Sequence, residues 1–341
     1  MTREEIQKNF TDSIIDNKFS GVFVSSPRSG KSKAVLDALK ALSHLNLRYL
    51  VIVPFKPVLK SWIEELAKWK FTGNIHFVIR TSLKTIDFTQ FDLIIKDECH
   101  LLADSEIKLL KSAKKPIVAI TGSLGKEAEN KLLYNLGLKV KCNYSVENAI
   151  EDGVISNYVI NLHRCVLMPS ERIEYNKLTQ NHDYFKSVGN FNVQMKYAGQ
   201  RARLIYSSVD KISKAKAIIA SKKRVLVFTA LTDVANELTK KTYHSKTKDK
   251  DNLQKFKDGE INKLTAVSQI DMGVTVKKLK HIVIHQLASK EERAVQRILR
   301  AMNLEGSRVA EIDILYVTNS VDTIWVDKAL AWCPKEKINI K

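Results

Sequence analysis

The sequence lacks any long hydrophobic segment. None of its apolar runs approaches the roughly 20 residues that a membrane-spanning helix requires. Residues 1–10 contain acidic side chains and no apolar core of the kind found in a secretion signal. Low-complexity tracts and short-period repeats are also absent. We therefore expect a cytoplasmic protein that makes no membrane contact.

Cysteine is scarce, and the four cysteines lie far apart in the chain, at Cys99, Cys142, Cys165 and Cys333. No C-x-x-C pair is present, which argues against a zinc site, and the wide spacing argues against a disulfide framework. We expect these residues to be buried, reduced thiols.

Acidic residues are few relative to basic ones. The chain has 37 Asp and Glu against 56 Lys and Arg, a formal net charge of +19. Such an excess favours a polyanionic partner, and nucleic acid is the commonest soluble polyanion. A generally basic surface without a partner is the alternative.

The 341 residues are enough for two domains, each with its own core. Two series of apolar, strand-like runs alternate with helical patterns, which is typical of parallel sheets covered by helices on both faces. These runs lie at 21–25, 48–53, 75–79, 91–96 and 116–121, and then at 224–229, 264–268, 281–286 and 311–318. The residues between the two series are polar and helical in pattern. The sequence thus predicts an α/β domain over 1–168, a helical connector over 169–221 and a second α/β domain over 222–341.

A strand–loop–helix pattern over residues 21–33 predicts a phosphate-binding loop. An apolar run ends in small residues, and Gly30, Lys31 and Ser32 then open a helical pattern. Backbone N–H groups at a helix N-terminus bind anions, Lys31 would reach the phosphates, and Ser32 would bind Mg²⁺. Ser25 replaces the first glycine of the common pattern, so an ordinary polar helix start is the alternative.

Carboxylates follow a later apolar strand, at Asp97 and Glu98. A phosphate-loop enzyme needs one carboxylate to hold the hydrated Mg²⁺ and a second to deprotonate the attacking water. A charged strand end is the alternative. It does not account for the presence of a phosphate-loop pattern and a carboxylate pair in the same chain. His100 would sense the γ-phosphate or cap the turn. Thr121 and Ser123, after the next strand, would link the nucleotide state to the neighbouring domain.

Far along the chain, Gln296, Arg297 and Arg300 lie on one predicted helix. The two arginines are three residues apart, so they share a face and could point at one phosphate. They would act as arginine fingers for a nucleotide bound to the first domain. A solvated basic helix is the alternative.

In this order, these blocks resemble the motifs of superfamily 2 helicases and translocases, of the DExH type, over nearly the whole chain. The regions that carry the resemblance are 25–32, 51–69, 78–83, 97–100, 121–123, 224–231, 266–285 and 296–300. Residues 266–285 are similar to phage UvsW-like helicases, and 51–69 and 317–330 resemble Snf2-like motor cores. The resemblance implies an α/β fold of two tandem RecA-like parallel-sheet domains joined by a helical segment. It also implies ATP and Mg²⁺ as cofactors.

Carried over position by position, the resemblance assigns roles to individual residues. Glu98, Arg297 and Arg300 would be catalytic, and Ser32 and Asp97 would bind the metal. The ATP-binding residues would be Ser29, Gly30, Lys31, Ser32, Gly273 and Gln296. The nucleic-acid contacts would be Lys56, Thr81, Ser82, Thr229 and Ser268. Gln7 lies where an adenine-reading glutamine would fall, although a solvated glutamine on a polar helix is the simpler interpretation.

The function that this resemblance implies is an ATP-driven motor on nucleic acid, with hydrolysis in the cleft between the two domains. DNA is favoured over RNA because the relatives that look most similar act on DNA. Duplex translocation or remodelling of branched DNA is favoured over unwinding because no strand-separating insertion is evident. Arg28 and Leu299 stand where relatives carry glycine. These departures leave open an ATP-gated clamp or adaptor, and an RNA helicase is a further alternative.

Overall fold

The computed structural model describes all residues except 27, 248, 250, 268–278, 288–308 and 332. The described chain divides into two compact units, one covering residues 1–155 and the other beginning at Ser156. Among the described residues, no helix combines the length and the apolar character needed to cross a membrane. The four cysteines are free thiols, and three of them are buried.

The first unit contains a six-stranded parallel sheet. Its strands are β1 (Gly21–Ser25), β2 (Arg48–Val53), β3 (Asn74–Ile79), β4 (Leu93–Asp97), β5 (Ile117–Thr121) and β6 (Val140–Tyr144). The spatial order is β3-β2-β4-β5-β1-β6. The central strands β1, β4 and β5 are buried along their whole length, which explains their continuous apolar sequences. The edge strands β3 and β6 alternate between more exposed and less exposed positions.

Six helices accompany this sheet: α1 (Arg3–Asp16), α2 (Lys31–Lys40), α3 (Lys56–Lys68), α4 (Asp104–Ala113), α5 (Lys126–Leu136) and α6 (Val146–Glu151). A capping box starts α1, because Thr2 accepts the Glu5 N–H while the Glu5 carboxylate accepts the Thr2 N–H. One apolar cluster joins Phe10 and Ile14 of α1 to α2, α3 and one set of strand side chains. A second cluster joins other strand side chains to α4 and α5.

The second unit contains a seven-stranded parallel sheet in the order β13-β7-β12-β11-β8-β10-β9. Its strands are β7 (Tyr158–Cys165), β8 (Val225–Thr229), β9 (Thr242–Tyr243), β10 (Lys263–Val267), β11 (His281–Ile284), β12 (Ala310–Val317) and β13 (Ile338–Ile340). The described helices are α7 (Pro169–Ser187), α8 (Phe191–Tyr206), α9 (Val209–Ser221), α10 (Thr232–Leu238), α11 (Asn252–Asp258) and α12 (Val321–Leu330).

The structure divides the chain earlier than the sequence suggested. Strand β7 pairs with β12 along its full length and therefore belongs to the second sheet, not to a first domain ending at residue 168. The segment 169–221 is helical as expected, but α7, α8 and α9 are part of the second unit. The strand was missed because His163 and Arg164 interrupt its apolar pattern, and a strand pairing between residues so distant in sequence leaves no local signal.

Candidate active site

The carboxyl ends of three neighbouring strands bring the predicted motifs of the first unit together. Strands β4, β5 and β1 are adjacent, so the segments that follow them meet at one edge of the sheet. Lys31 follows β1, Asp97 and Glu98 end β4, and Gly122 follows β5. A Cβ atom on Gly122 would lie 3.7 Å from Lys31 Nζ, which shows how closely the three ends approach.

The loop between β1 and α2 is held by its own serine side chains. Ser25 donates a 2.6 Å hydrogen bond to the Ser29 hydroxyl, which donates in turn to the Ser26 carbonyl at 2.9 Å. Arg28 adopts φ = +65°, a left-handed conformation that favours glycine, at the position where the sequence departs from the helicase pattern. Ser25 stands where the common phosphate-loop pattern has its first glycine, and its hydroxyl group supports the loop.

Gly30 is the N-cap of α2 and cannot be replaced without rearrangement. Its φ is +91°, and a Cβ atom there would lie 2.1 Å from Gln7 Nε2. The Gln7 side chain is buried against this residue. The interpretation of Gln7 as a solvated residue is therefore wrong, because the side chain packs on the loop.

Lys31 lies half-buried at the first position of α2, and its ammonium group points back at the loop. Nζ donates to the carbonyls of Ser25 at 2.9 Å and Ser26 at 3.3 Å. Burial lowers the pKa of Lys31, and the carboxylates of Glu98 and Asp97 act in the opposite direction. The cation therefore lies in the field of the predicted metal ligand, Asp97, and of the predicted catalytic base, Glu98.

Asp97 is a buried carboxylate with a partner on each oxygen. Oδ2 accepts the indole N–H of Trp62 at 2.8 Å, and Oδ1 accepts the backbone N–H of Glu98 at 2.8 Å. Burial and the neighbouring Glu98 raise the pKa of Asp97 to about 6, against the opposing effects of Trp62 and Lys31. Sequence analysis missed Trp62, which lies on α3, far from Asp97 in the chain. Its position within the 51–69 motif was the only available signal.

Glu98, His100 and Thr121 form a polar cluster that links the ends of β4 and β5. Glu98 has φ = +47°, and its Oε2 lies 3.4 Å from both His100 Nδ1 and Thr121 Oγ1. The Thr121 hydroxyl donates to the Ser123 carbonyl at 2.8 Å, and His100 Nδ1 lies within hydrogen-bond distance of Thr121 Oγ1, at 2.7 Å. His100 therefore connects the two motifs.

A cavity of about 470 Å³ opens beside the loop. Its walls come from α1, the loop, α2 and α3. They include the cations Arg3, Arg28, Lys31, Lys33 and Lys68, the acids Glu4 and Glu65, and the residues Gln7, Gly30, Ser32, Ser61 and Trp69. The cationic lining suits a polyphosphate, and the Trp69 ring provides a flat apolar surface. This cavity and Trp69 had no counterpart in the sequence analysis.

The residues present are compatible with a magnesium–nucleotide complex. Mg²⁺ bound to a nucleotide usually takes only one or two protein oxygens and completes its shell with water and phosphate. Asp97, together with Ser32 at the second position of α2, would supply such oxygens. Within the described ranges, including this site, no group of three or more His, Cys, Asp and Glu side chains suits a metal ion.

The predicted nucleic-acid contacts differ in exposure. Lys56, Thr81 and Ser82 are exposed and follow the carboxyl ends of the adjacent strands β2 and β3. Thr229 is instead fully buried at the end of β8. Its assignment to the nucleic-acid surface is not compatible with that burial, which the apolar strand before it explains. Ser268, Gly273, Gln296, Arg297 and Arg300 lie outside the described residues.

Comparisons with known proteins find similarity to helicase domains. Residues 204–305 match the helicase conserved C-terminal domain. No curated protein sequence matches the chain significantly. Among solved structures, the chain resembles the Hef helicase domain of Pyrococcus furiosus at 15% identity and a TM-score of 0.55, covering 95% of this chain and 96% of that one.

Two further structures are similar at 12% identity. The DNA-bound type ISP restriction-modification enzyme LlaBIII gives a TM-score of 0.67 and covers the whole of this chain, which corresponds to 31% of the enzyme's length. A DEAD box protein from Methanococcus jannaschii gives a TM-score of 0.50 and covers 98% of this chain and 92% of that one. The two parallel-sheet units therefore have the RecA-like fold of helicase domains, and the second carries a region that matches the helicase C-terminal domain.

Proposed function

We propose that the chain is an ATP-dependent nucleic-acid motor of superfamily 2, a helicase or translocase. The observation that carries the proposal is the approach of Lys31 to Asp97 and Glu98 beside a cationic cavity. The C-terminal domain match adds independent support. Within the superfamily we favour the DExH type, on residues 97–100, and a relationship to phage UvsW-like and Snf2-like cores, on residues 266–285, 51–69 and 317–330.

The residues of the first unit suit phosphoanhydride hydrolysis. Lys31 would exchange its loop carbonyls for phosphate oxygens, and Asp97 and Ser32 would hold hydrated Mg²⁺. Bound Mg²⁺ would neutralise charge that develops on the phosphates. Glu98 would take a proton from the water that attacks the γ-phosphorus as the bond to the β-phosphate oxygen breaks. His100 and Thr121 would orient Glu98, because both lie within 3.4 Å of its Oε2.

We favour DNA as the nucleic acid. LlaBIII, which has a similar fold, is described as bound to DNA. The net charge of +19 supports binding to phosphates, and the exposed Lys56, Thr81 and Ser82 offer contacts to a backbone. Arg297 and Arg300 stay predicted arginine fingers, and Gly273, Gln296 and Ser268 stay predicted contacts.

The test is ATP hydrolysis in the absence and presence of nucleic acid. We expect stimulation by DNA, compared among duplex, single-stranded and forked forms, and weaker stimulation by RNA. Glu98→Gln should lower kcat by about 100- to 10,000-fold while ATP binding persists, because a general base is lost. Glu127→Gln, at a side chain 87% exposed on α5, is the matched control and should leave kcat unchanged.

One result would contradict the proposed motor, and another would contradict only the preference for DNA. Tight, ATP-dependent DNA binding without turnover would indicate a clamp or adaptor instead of a motor. Stronger stimulation by RNA than by every DNA form would retain the motor and change its substrate.

A further inference from the structure

Helices α7 and α8 form an antiparallel hairpin whose base is fixed to the second unit. Tyr175 accepts the backbone N–H of Val321 at 2.9 Å, and Arg172 donates to the carbonyls of Asn319 and Thr318. At the end of α8, Ile205 is completely buried in the apolar cluster of the second unit. The hairpin therefore has a rigid attachment.

A ring contact between the two helices holds the outer half of the hairpin. Phe185 of α7 stacks on Tyr197 of α8 with ring centroids 5.6 Å apart and an interplanar angle of 11°. Within α7, Tyr184 meets Phe185 edge to face at 5.1 Å. Gly189 closes the turn with φ = +70°. These contacts fix the two helices to each other as far as the turn.

The tip of the hairpin exposes large apolar side chains. We define the tip as Tyr184, Val188, Phe191 and Met195, whose residues are 51–67% exposed. Four such side chains around one turn form an apolar surface that contributes nothing to the core described above. In soluble proteins, contiguous exposed apolar surfaces mark binding sites, whereas isolated exposed apolar side chains do not.

The charge around the tip identifies the kind of partner. No Asp or Glu occurs between residues 184 and 209, a stretch that contains Lys186, Lys196, Arg201 and Arg203. Lys186 and Lys196 are exposed and form no ion pair within the described part of the chain. The acid nearest to the tip in the chain is Asp183, whose Oδ1 lies 2.8 Å from His182 Nδ1. An apolar surface bordered by two unpaired lysines is complementary to exposed bases on a phosphate backbone.

We propose that the hairpin tip binds unpaired nucleic-acid bases, with Tyr184 and Phe191 stacking on bases and Lys186 and Lys196 binding phosphates. The inference rests on the proposed function and adds a site to it. The hairpin lies between β7 and β8 in the chain, within the segment 169–221 that the sequence predicts as a helical connector. In this proposal it would contact strands where they separate.

Binding of labelled single-stranded, forked and blunt duplex DNA, followed by fluorescence anisotropy, tests the inference. Tyr184→Ala/Phe191→Ala should weaken binding of single-stranded and forked DNA by about fivefold or more, since base stacking is lost. Binding of blunt duplex and ATP hydrolysis without DNA should stay within about twofold of the unmodified chain, given that stacking needs unpaired bases. The control is Ile173→Ala, which removes an equally exposed apolar side chain near the hairpin base and should change none of these values.

A second variant separates phosphate contacts from stacking. Lys186→Gln/Lys196→Gln should reduce the slope of log affinity against log salt by about 1.4 for single strands, because two phosphate contacts are lost. The aromatic variant should leave this slope unchanged. Base stacking itself can be followed with 2-aminopurine in the DNA, because stacking on an aromatic ring quenches its fluorescence. Only the aromatic variant should prevent this quenching.

The outcomes separate the inference from the proposed function. If the chain hydrolyses ATP in response to DNA while both tip variants bind forked DNA normally, the inference is overturned and the function stands. If the tip variants instead alter self-association with DNA binding intact, the tip is a protein contact and the inference also fails. If the unmodified chain neither binds DNA nor hydrolyses ATP, the proposed function fails first.

Discussion

At the scale of single residues, Asp97 is where stability and the proposed activity oppose each other. Its carboxylate is buried next to Glu98, and together burial and this neighbour raise its pKa to about 6. Trp62 and the Glu98 N–H hold the carboxylate in one orientation. The chain therefore keeps an unfavourable negative charge in a fixed position, as a metal ligand requires.

Replacing Asp97 by Asn should remove a pH-dependent loss of stability from the metal-free chain. Because the pKa of Asp97 is higher in the folded than in the unfolded state, its ionisation destabilises the fold above about pH 6 and has no effect below about pH 4. Asn offers one acceptor oxygen to the two N–H donors that Asp97 accepts, so the difference between the two chains at pH 4 measures that lost hydrogen bond. Relative to that difference, we expect Asp97→Asn to gain about 1–3 kcal/mol in free energy of unfolding at pH 7.5. Urea unfolding at both pH values measures it.

Asp12→Asn, at an exposed position of α1, is the control and should change little at either pH. A difference between Asp97→Asn and the unmodified chain that is the same at pH 4 and at pH 7.5 would show that the buried charge costs nothing.

Trp62 should act as a positioning residue for the metal ligand. Trp62→Phe keeps the apolar ring and removes the N–H that Asp97 accepts. Partners of metal ligands typically contribute 10- to 100-fold to metal affinity, so the Mg²⁺ concentration for half-maximal ATP hydrolysis should rise about tenfold. Trp325→Phe, the same change in the second unit, is the control. An unchanged Mg²⁺ requirement in Trp62→Phe would mean that the hydrogen bond has no positioning role.

At the scale of elements, a buried ionic network joins β4 to α4 and to the end of β3. The Lys96 side chain is fully buried, and its Nζ lies 3.5 Å from Glu106 Oε1. Glu106 Oε2 accepts from Arg80 at 2.6 Å and from the Ala103 N–H at 2.8 Å. Burial lowers the pKa of Lys96, and Glu106 counteracts this effect. Glu106 therefore compensates two cations, one of them beside Asp97 in the strand.

Removing Glu106 should destabilise the first unit. Glu106→Ala leaves Lys96 buried without its counter-ion, and the loss of one partner of a buried pair typically costs about 3–5 kcal/mol. Urea unfolding followed by tryptophan fluorescence measures the change. Glu127→Ala, at an exposed pair on α5, should cost less than about 1 kcal/mol. Similar values for the two variants would show that the network contributes no more than a surface pair.

At the scale of the whole molecule, the net charge of +19 is the dominant long-range property. Several surface acids are already paired with lysines, as in Lys216–Glu237 and Lys222–Glu311, so the excess cations are left to face solvent. Such a distribution attracts a polyanion without selecting its sequence.

The affinity for nucleic acid should therefore fall steeply with salt. If six or more phosphates are contacted, raising the salt from about 50 to 200 mM should weaken duplex binding by about 1,000-fold or more. Anisotropy titrations at several salt concentrations give the slope, and uncharged DNA analogues serve as the control. If the affinity does not change with salt concentration, the basic surface has a role other than binding phosphates.

The amino-acid sequence by itself determined the alternation of strands and helices and placed Lys31, Asp97, Glu98 and Thr121 at strand ends. These features depend on local apolar patterns, which a single chain segment carries. The sequence could not show four of the strands, β6, β7, β9 and β13, which are short, polar in part, or at a sheet edge.

Only the tertiary structure decided which distant residues meet. The Trp62–Asp97 hydrogen bond, the Gln7 side chain against Gly30 and the exposed hairpin tip have no local sequence signal. Each depends on which strands become neighbours and on how helices pack on them. The type and spacing of a residue indicate which chemistry its side chain is capable of. Its burial and its partners, which long-range packing determines, decide whether the side chain carries out that chemistry.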